Sequence, residues 1–101
     1  MIYSLVLNPS TGGLTSVASI STGTPTNAAG TVYVEAINNG TALAAANYNA
    51  GSTFVVPLGS DKTSFSGTGQ VIKFTGSGPF PNQASAHAHQ VNSRLSLFLV
   101  G

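Results

Sequence analysis

This chain of 101 residues has few charged side chains and no cysteine. Without cysteine, the chain forms no disulfide and offers no thiolate ligand to a metal. Cysteine usage therefore gives no information on the redox state of its compartment. Three basic and two acidic side chains give a net charge of +1. Binding to nucleic acid or to an acidic membrane surface needs a basic patch, and three scattered basic residues form none. Nucleic acid and membrane are therefore excluded as partners.

Long hydrophobic runs are also absent. No apolar stretch approaches the roughly 20 residues of a membrane span, and the first residues lack the basic start and long apolar centre of a signal peptide. We therefore expect a soluble protein, cytoplasmic or secreted, forming one small domain over residues 1–101. The charged fraction of 5% is far below the usual value of about a quarter, which suggests that much of the surface is covered by something else.

Short stretches rich in β-branched and aromatic residues alternate with turn residues along the chain. Asn38-Asn39-Gly40 is the strongest turn signal, because Asn and Gly tolerate the positive φ that a tight hairpin requires. No segment shows an apolar period of 3.6 residues over the length of a helix. The chain is therefore predicted to be all-β, with strands at residues 2–7, 14–20, 31–37, 41–46, 52–58, 70–74 and 95–100.

An internal repeat organises these strands. Residues 51 positions apart are similar in type. Tyr3, Leu5 and Leu7 correspond to Phe54, Val56 and Leu58, Leu14 corresponds to Phe65, and Ile20 corresponds to Val71. A second match, 53 residues apart, places Asn39-Gly40-Thr41 on Asn92-Ser93-Arg94 and predicts a turn there. A repeat of about four short strands is typical of a β-propeller blade. About two blades do not close a ring of four to eight, so the predicted partners are further blades, from other chains or from a missing remainder.

Both histidines lie close together, at positions 87 and 89. On an extended backbone, His87 and His89 point to the same face, with the small Ala86 and Ala88 beside them. An imidazole serves as acid, base and hydrogen-bond donor near pH 7, so the pair is a candidate acid/base site; hydrogen-bonded packing is the alternative. Neither a metal nor another cofactor is predicted, because two imidazoles need a further ligand and no acidic residue has a spacing relation to them.

Two phrases of the sequence carry a family resemblance. They read Ala45-Ala46-Asn47-Tyr48-Asn49-Ala50-Gly51-Ser52-Thr53-Phe54-Val55-Val56-Pro57-Leu58 and Asn82-Gln83-Ala84-Ser85-Ala86-His87-Ala88-His89-Gln90-Val91. With the hairpin of residues 5–14, they resemble two consecutive blades of the seven-bladed β-propeller lactonases, a family that includes 6-phosphogluconolactonase and the fungal 3-carboxy-cis,cis-muconate cyclases. Ala88 stands where the family usually has proline.

The resemblance implies a propeller that hydrolyses or forms a sugar-acid or muconate lactone. His87 and His89 are then the general acid/base groups, and the substrate-binding positions are Asn47, Tyr48, Gln83 and Gln90. The family's further acidic and basic groups lie on later blades. The resemblance therefore implies activity of the assembled propeller and inactivity of the isolated chain.

A second function remains open. A fold does not determine an activity, and scarce charge with many Asn, Ser, Thr and Tyr residues suits the binding of neutral sugars. The alternative is thus a non-catalytic carbohydrate-binding or structural propeller protein. An acidic residue and an arginine converging on the histidines favour the enzyme, whereas amides and aromatic rings alone favour binding.

Overall fold

The computed structural model describes residues 1–23, 29–93 and 98–100. Within these residues the chain forms eight β-strands and a three-residue 3-10 turn, which confirms the all-β prediction. In order, the elements are β1 (Ile2–Leu7), β2 (Leu14–Ile20), β3 (Thr31–Ile37), β4 (Ala42–Asn47), β5 (Ser52–Pro57), β6 (Gln70–Lys73), the 3-10 turn Pro81–Gln83, β7 (Val91–Ser93) and β8 (Phe98–Val100). Over the described ranges, no helix has the length and apolar character needed to cross a membrane.

Strands β3 to β6 form one four-stranded antiparallel sheet in sequence order. The hairpins β1–β2 and β7–β8 form a two-stranded sheet each. The turn between β3 and β4 confirms its prediction: Asn38, Asn39 and Gly40 have φ values of 53°, 57° and 75°, and the Gly40 amide donates to the Ile37 carbonyl at 3.0 Å. The ends of β1 to β6 differ from the predicted ends by at most one residue, because alternating side chains and turn residues specify them locally.

Strand β4 is the centre of the core, and Ala44, Ala45 and Ala46 have no exposed surface. Successive side chains of a strand point to opposite faces, so β4 contributes to two cores. The first, here called the β7 face, consists of Ile37, Ala42, Ala44 and Ala46, packed with Ala88 and Val91. The second, here called the β1 face, consists of Ala45, Phe54 and Val56, packed with Ile2. The four-stranded sheet therefore lies between the two hairpins, and methyl side chains on β4 let both approach closely.

One expectation for the C-terminal part is wrong. Asn92 and Ser93 lie in β7 rather than in a turn; Arg94 is outside the described residues. The histidine segment is not a strand, since residues 84–90 have no strand pairing. Strand alternation therefore does not decide where His87 and His89 point. Of the last predicted strand, residues 98–100 form β8 and residues 95–97 lie outside the described part.

Candidate functional site

The candidate site begins at Asn47, the last residue of β4, which has no exposed surface. Its Nδ2 atom donates to the Thr22 carbonyl and to Ser52 Oγ, each at 3.0 Å. Its Oδ1 atom accepts from the Thr31 hydroxyl at 2.8 Å. Both amide hydrogens are used inside the protein, which leaves Asn47 no donor for a ligand. This geometry makes Asn47 a support for the turn that follows it.

That turn places Tyr48 and brings a distant segment close. The Tyr48 amide donates to the Gly30 carbonyl at 2.8 Å, and the Gly51 amide donates to the Tyr48 carbonyl at 3.2 Å. Gly51 has a φ of 61°, and a Cβ atom built there would lie 2.2 Å from the Ala86 carbonyl oxygen. Glycine is the residue that accepts both the left-handed conformation and such a close approach. Gly51 therefore lets residues 85–87 lie against the turn.

His87 packs on Tyr48 through its ring and through a hydrogen bond. The two ring centroids are 4.3 Å apart with 12° between the planes. His87 Nδ1 lies 2.8 Å from the Tyr48 carbonyl oxygen. A carbonyl oxygen only accepts hydrogen bonds, so Nδ1 carries the hydrogen and donates. In the neutral imidazole, the lone pair is then on Nε2, which is the arrangement of a base that accepts a proton at Nε2.

His89 contacts the same tyrosine ring from its edge, with centroids 4.9 Å apart and 75° between the planes. The side chain of His89 is exposed, whereas that of His87 is half-buried. Between them, Ala88 is buried in the β7 face. Ala88 therefore anchors the segment and holds both imidazoles around Tyr48. The structure thus brings together three of the predicted site residues.

A hollow of about 380 Å³ lies beside His87. Its lining residues are Gly76, Ser77, Gly78, Gln83, Ser85, Ala86 and His87. Gln83 Oε1 accepts from the Phe80 amide at 3.4 Å, so the side-chain NH₂ group is the part of Gln83 that donates. The hollow thus joins two predicted site residues, His87 and Gln83. Gln90 is exposed and follows His89 in the chain; it is not one of the lining residues.

The hollow is neutral in charge. Its lining contains no acidic residue and no arginine among the residues the structure describes. In the same part of the chain, no three His, Cys, Asp or Glu side chains are grouped so that they hold a metal ion. The chemistry that these residues offer is therefore proton transfer by imidazole and hydrogen bonding by amide groups.

No pattern in the sequence predicted how the two phrases meet. The contact between Gly51 and Ala86 and the hydrogen bonds of Asn47 with Thr22 and Thr31 link segments far apart in the chain. The sequence did contain a local signal for the turn that meets Ala86, because Asn47, Tyr48 and Gly51 mark a turn at the end of a strand. No local signal identified Ala86 as its partner, because the contact depends on how β7 packs.

A family comparison matches residues 1–96 to the family described as Lactonase, 7-bladed beta-propeller. Comparisons with curated proteins and with solved structures found no match. The family match covers nearly the whole chain, and a four-stranded antiparallel sheet between two hairpins is the architecture of propeller blades. The chain therefore belongs to the seven-bladed β-propeller lactonase family.

Proposed function

We propose that this chain supplies the acid/base group of a propeller that acts on a lactone, with His87 as general base. The observation that carries the proposal is the 2.8 Å hydrogen bond from His87 Nδ1 to the Tyr48 carbonyl. It orients the imidazole and leaves the lone pair of the neutral ring on Nε2. A 6-phosphogluconolactone-like sugar lactone and a carboxymuconate lactone are the proposed substrate classes, on the strength of the family.

The hydrolytic step follows from this arrangement. His87 Nε2 removes a proton from water while the water oxygen bonds to the lactone carbonyl carbon. The carbonyl oxygen becomes an oxyanion, and the NH₂ group of Gln83 supplies a hydrogen-bond donor for it. When the ring C–O bond breaks, the His87 imidazolium returns its proton to the leaving alkoxide. The product is the open hydroxy acid, and the imidazole is neutral again.

In the muconate reaction, the His87 side chain acts as an acid rather than as a base. A substrate carboxylate oxygen adds to a carbon–carbon double bond, and the His87 imidazolium protonates the adjacent carbon. The lactone ring forms without loss of any atom. Both reactions need one imidazole that transfers a proton at Nε2.

The other predicted residues take supporting roles in this proposal. Tyr48 holds both imidazoles and is a positioning residue through its ring. Asn47 is a positioning residue as well, because its side chain is fully bonded inside the protein. His89 and Gln90 lie on the exposed side of the segment; His89 takes no part in the proton transfer, and Gln90 binds substrate hydroxyls. Charged groups that complete the site come from further blades, so the assembled particle is the active species.

The test compares wild type with His87→Asn in the assembled particle. The Asn amide NH₂ takes the place of Nδ1–H and keeps the bond to the Tyr48 carbonyl, but it has no nitrogen that accepts a proton. We expect kcat/KM for lactone hydrolysis or formation to fall by about 10²- to 10⁴-fold. His89→Ala is the matched control and retains most of the activity. A wild-type particle that leaves both lactone classes untouched, or a fully active His87→Asn variant, would disprove the proposal.

Neutral carbohydrate binding is the second candidate function, and the neutral lining of the hollow favours it. In that lining, the Gln83 amide next to small residues suits sugar hydroxyls, and the Tyr48 ring, which is not one of the lining residues, holds His87 beside the hollow. In this function, His87→Asn binds a neutral sugar as well as wild type, whereas Tyr48→Ala loses binding. Titration of wild type and both variants with neutral mono- and disaccharides, followed by NMR chemical shifts, separates the two functions.

A further inference from the structure

We propose that the protein binds a small aromatic carboxylate in a second cavity, here called the Lys73 cavity. This inference goes beyond the proposed function and does not rest on it. The Lys73 cavity has a volume of about 610 Å³, within the range of about 300–1,000 Å³ in which small-molecule sites fall. Among their described lining residues, it shares Ser85 and Ala86 alone with the hollow beside His87.

The Lys73 cavity lies at one end of the four-stranded sheet. Lys73 pairs with Ser52, and Val71 pairs with Phe54. Residues directly opposite in a sheet share a face, as do residues two apart on a strand, and Phe54 belongs to the β1 face. Ser52, Val71 and Lys73 therefore all lie on the β1 face, and all three line the cavity.

Backbone hydrogen bonds hold the walls of the cavity together. The Phe74 amide donates to the Gly51 carbonyl at 2.9 Å, which joins the end of β6 to the turn after β4. The Ala50 amide donates to the Ala29 carbonyl at 3.0 Å, which joins the same turn to the chain before β3. The fold itself therefore forms the cavity, and a ligand does not need to open it.

The charge of the lining favours an anion. Lys73 is the only charged residue among the described residues of the lining. The two acidic residues of the sequence lie elsewhere. Asp61 is in the loop between β5 and β6, beyond the other end of β6, and Glu35 pairs with Ala44 of the β7 face. A cleft that carries charge of one sign raises the local concentration of ligands of the opposite sign.

The apolar part of the lining favours a ring. Val71 is 48% exposed and Phe74 is half-buried, and both line the cavity next to Lys73. A phosphate group carries nearly two negative charges and offers no apolar surface to these side chains. An aromatic carboxylate instead combines one charge for the single lysine with a ring for Val71 and Phe74.

Three small molecules separate the contribution of the charge from that of the ring. Phenylacetate carries both, phenylacetamide carries the ring alone, and acetate carries the charge alone. Saturation-transfer NMR on the purified protein measures their binding. We expect a dissociation constant on the order of 1 mM for phenylacetate, binding of phenylacetamide that is about two- to fivefold weaker, and no detectable binding of acetate. About 1 M salt should remove most of the preference for phenylacetate, because it screens the charge of Lys73.

Two pairs of variants locate the ligand. Lys73→Met is expected to bind phenylacetate and phenylacetamide equally, whereas Lys62→Met keeps the preference, because Lys62 donates to the Gly40 carbonyl and does not line the cavity. Val71→Trp fills the cavity and should abolish binding of both ring compounds. Val17→Trp is the matched control, since Val17 is 49% exposed on β2 but is not a lining residue.

His87→Asn shows which of the two sites the ligand occupies. It changes the hollow and no residue of the Lys73 cavity, so phenylacetate should bind it as it binds wild type. Equal binding of phenylacetate and phenylacetamide to wild type, unchanged binding in Val71→Trp, or loss of binding in His87→Asn would each overturn the proposal. None of these measurements uses a lactone, so a failure of the proposed lactone activity leaves their outcome unaffected.

Discussion

The Nδ1 atom of His87 lies 2.8 Å from the carbonyl oxygen of Tyr48, and the two rings stack with centroids 4.3 Å apart. The same carbonyl accepts the Gly51 amide at 3.2 Å. One backbone oxygen therefore closes the turn after β4 and orients the imidazole. The position of His87 depends on the conformation of this turn as much as on its own segment.

Removal of the Tyr48 ring is expected to loosen both histidines. Tyr48→Ala loses a stacked and an edge-on ring contact, and such contacts contribute about 0.5–1.5 kcal/mol each. The free energy of unfolding should fall by about 2 kcal/mol, whereas Tyr48→Phe, which keeps the ring, changes it by less than about 0.5 kcal/mol. Urea unfolding at one fixed protein concentration measures both. Equal stability of the two variants would show that the ring contacts contribute nothing.

Gly51→Ala is expected to displace the histidine segment from the turn. Gly51 and Gly40 both have positive φ, but a Cβ atom meets the Ala86 carbonyl at Gly51 and nothing within 4 Å at Gly40. Both substitutions cost about 1–2 kcal/mol of backbone strain, and Gly51→Ala costs about 1–3 kcal/mol more because of the clash. Unfolding curves give the difference, and the NOE between the rings of Tyr48 and His87 should weaken in Gly51→Ala alone. An intact NOE there would contradict the prediction.

Asn47→Ala tests whether this side chain supports the fold or contacts a ligand. The Asn47 side chain is a hydrogen-bond partner of the buried Thr22 carbonyl and of the Ser52 and Thr31 hydroxyls. The substitution removes this partner from all three groups. We expect a loss of about 3 kcal/mol in unfolding free energy, since each unsatisfied buried group costs about 1–3 kcal/mol. The exposed neighbour Asn49, changed to Ala, is the control and should cost less than about 0.5 kcal/mol. A stable Asn47→Ala variant that has lost ligand affinity would instead indicate direct contact.

Asp61 makes the turn between β5 and β6 sensitive to acid. Hydrogen bonds from the backbone amides of Thr63 and Ser64, and then from the Ser64 hydroxyl, lower the pKa of Asp61 to about 2. The pKa in the folded state is thus below the unfolded value of about 3.9. The charged carboxylate therefore stabilises the fold above about pH 4, and this contribution is lost as the pH falls towards about 2.

The measurement compares wild type with Asp61→Asn. The stability difference between them should shrink as the pH falls from about 4 to about 2, because the wild type alone loses a favourable charge in that range. An NMR titration of the Asp61 carboxyl carbon gives the pKa directly. A midpoint near 3.9 would contradict the prediction.

The sequence by itself determined the strands and most of the turns. Alternating residues in β1 and β5 and the turn Asn38-Asn39-Gly40 act within a few positions of the chain, so that the pattern can be recognised without knowledge of the packing. The repeat indicated that β1–β2 corresponds to β5–β6. Family membership followed from phrases of the same local kind, and the match over residues 1–96 agrees with them.

Only the tertiary structure decided where the histidines lie. On an extended backbone, the spacing of His87 and His89 would place both on one face, but residues 84–90 belong to no strand, so that the two-residue period of a strand does not apply to them. Burial of Ala88 and the close approach of Ala86 to Gly51 set the path of this segment instead. These contacts join residues more than 30 positions apart, so no local pattern contains them, and they arise when Val91 packs on the alanines of β4.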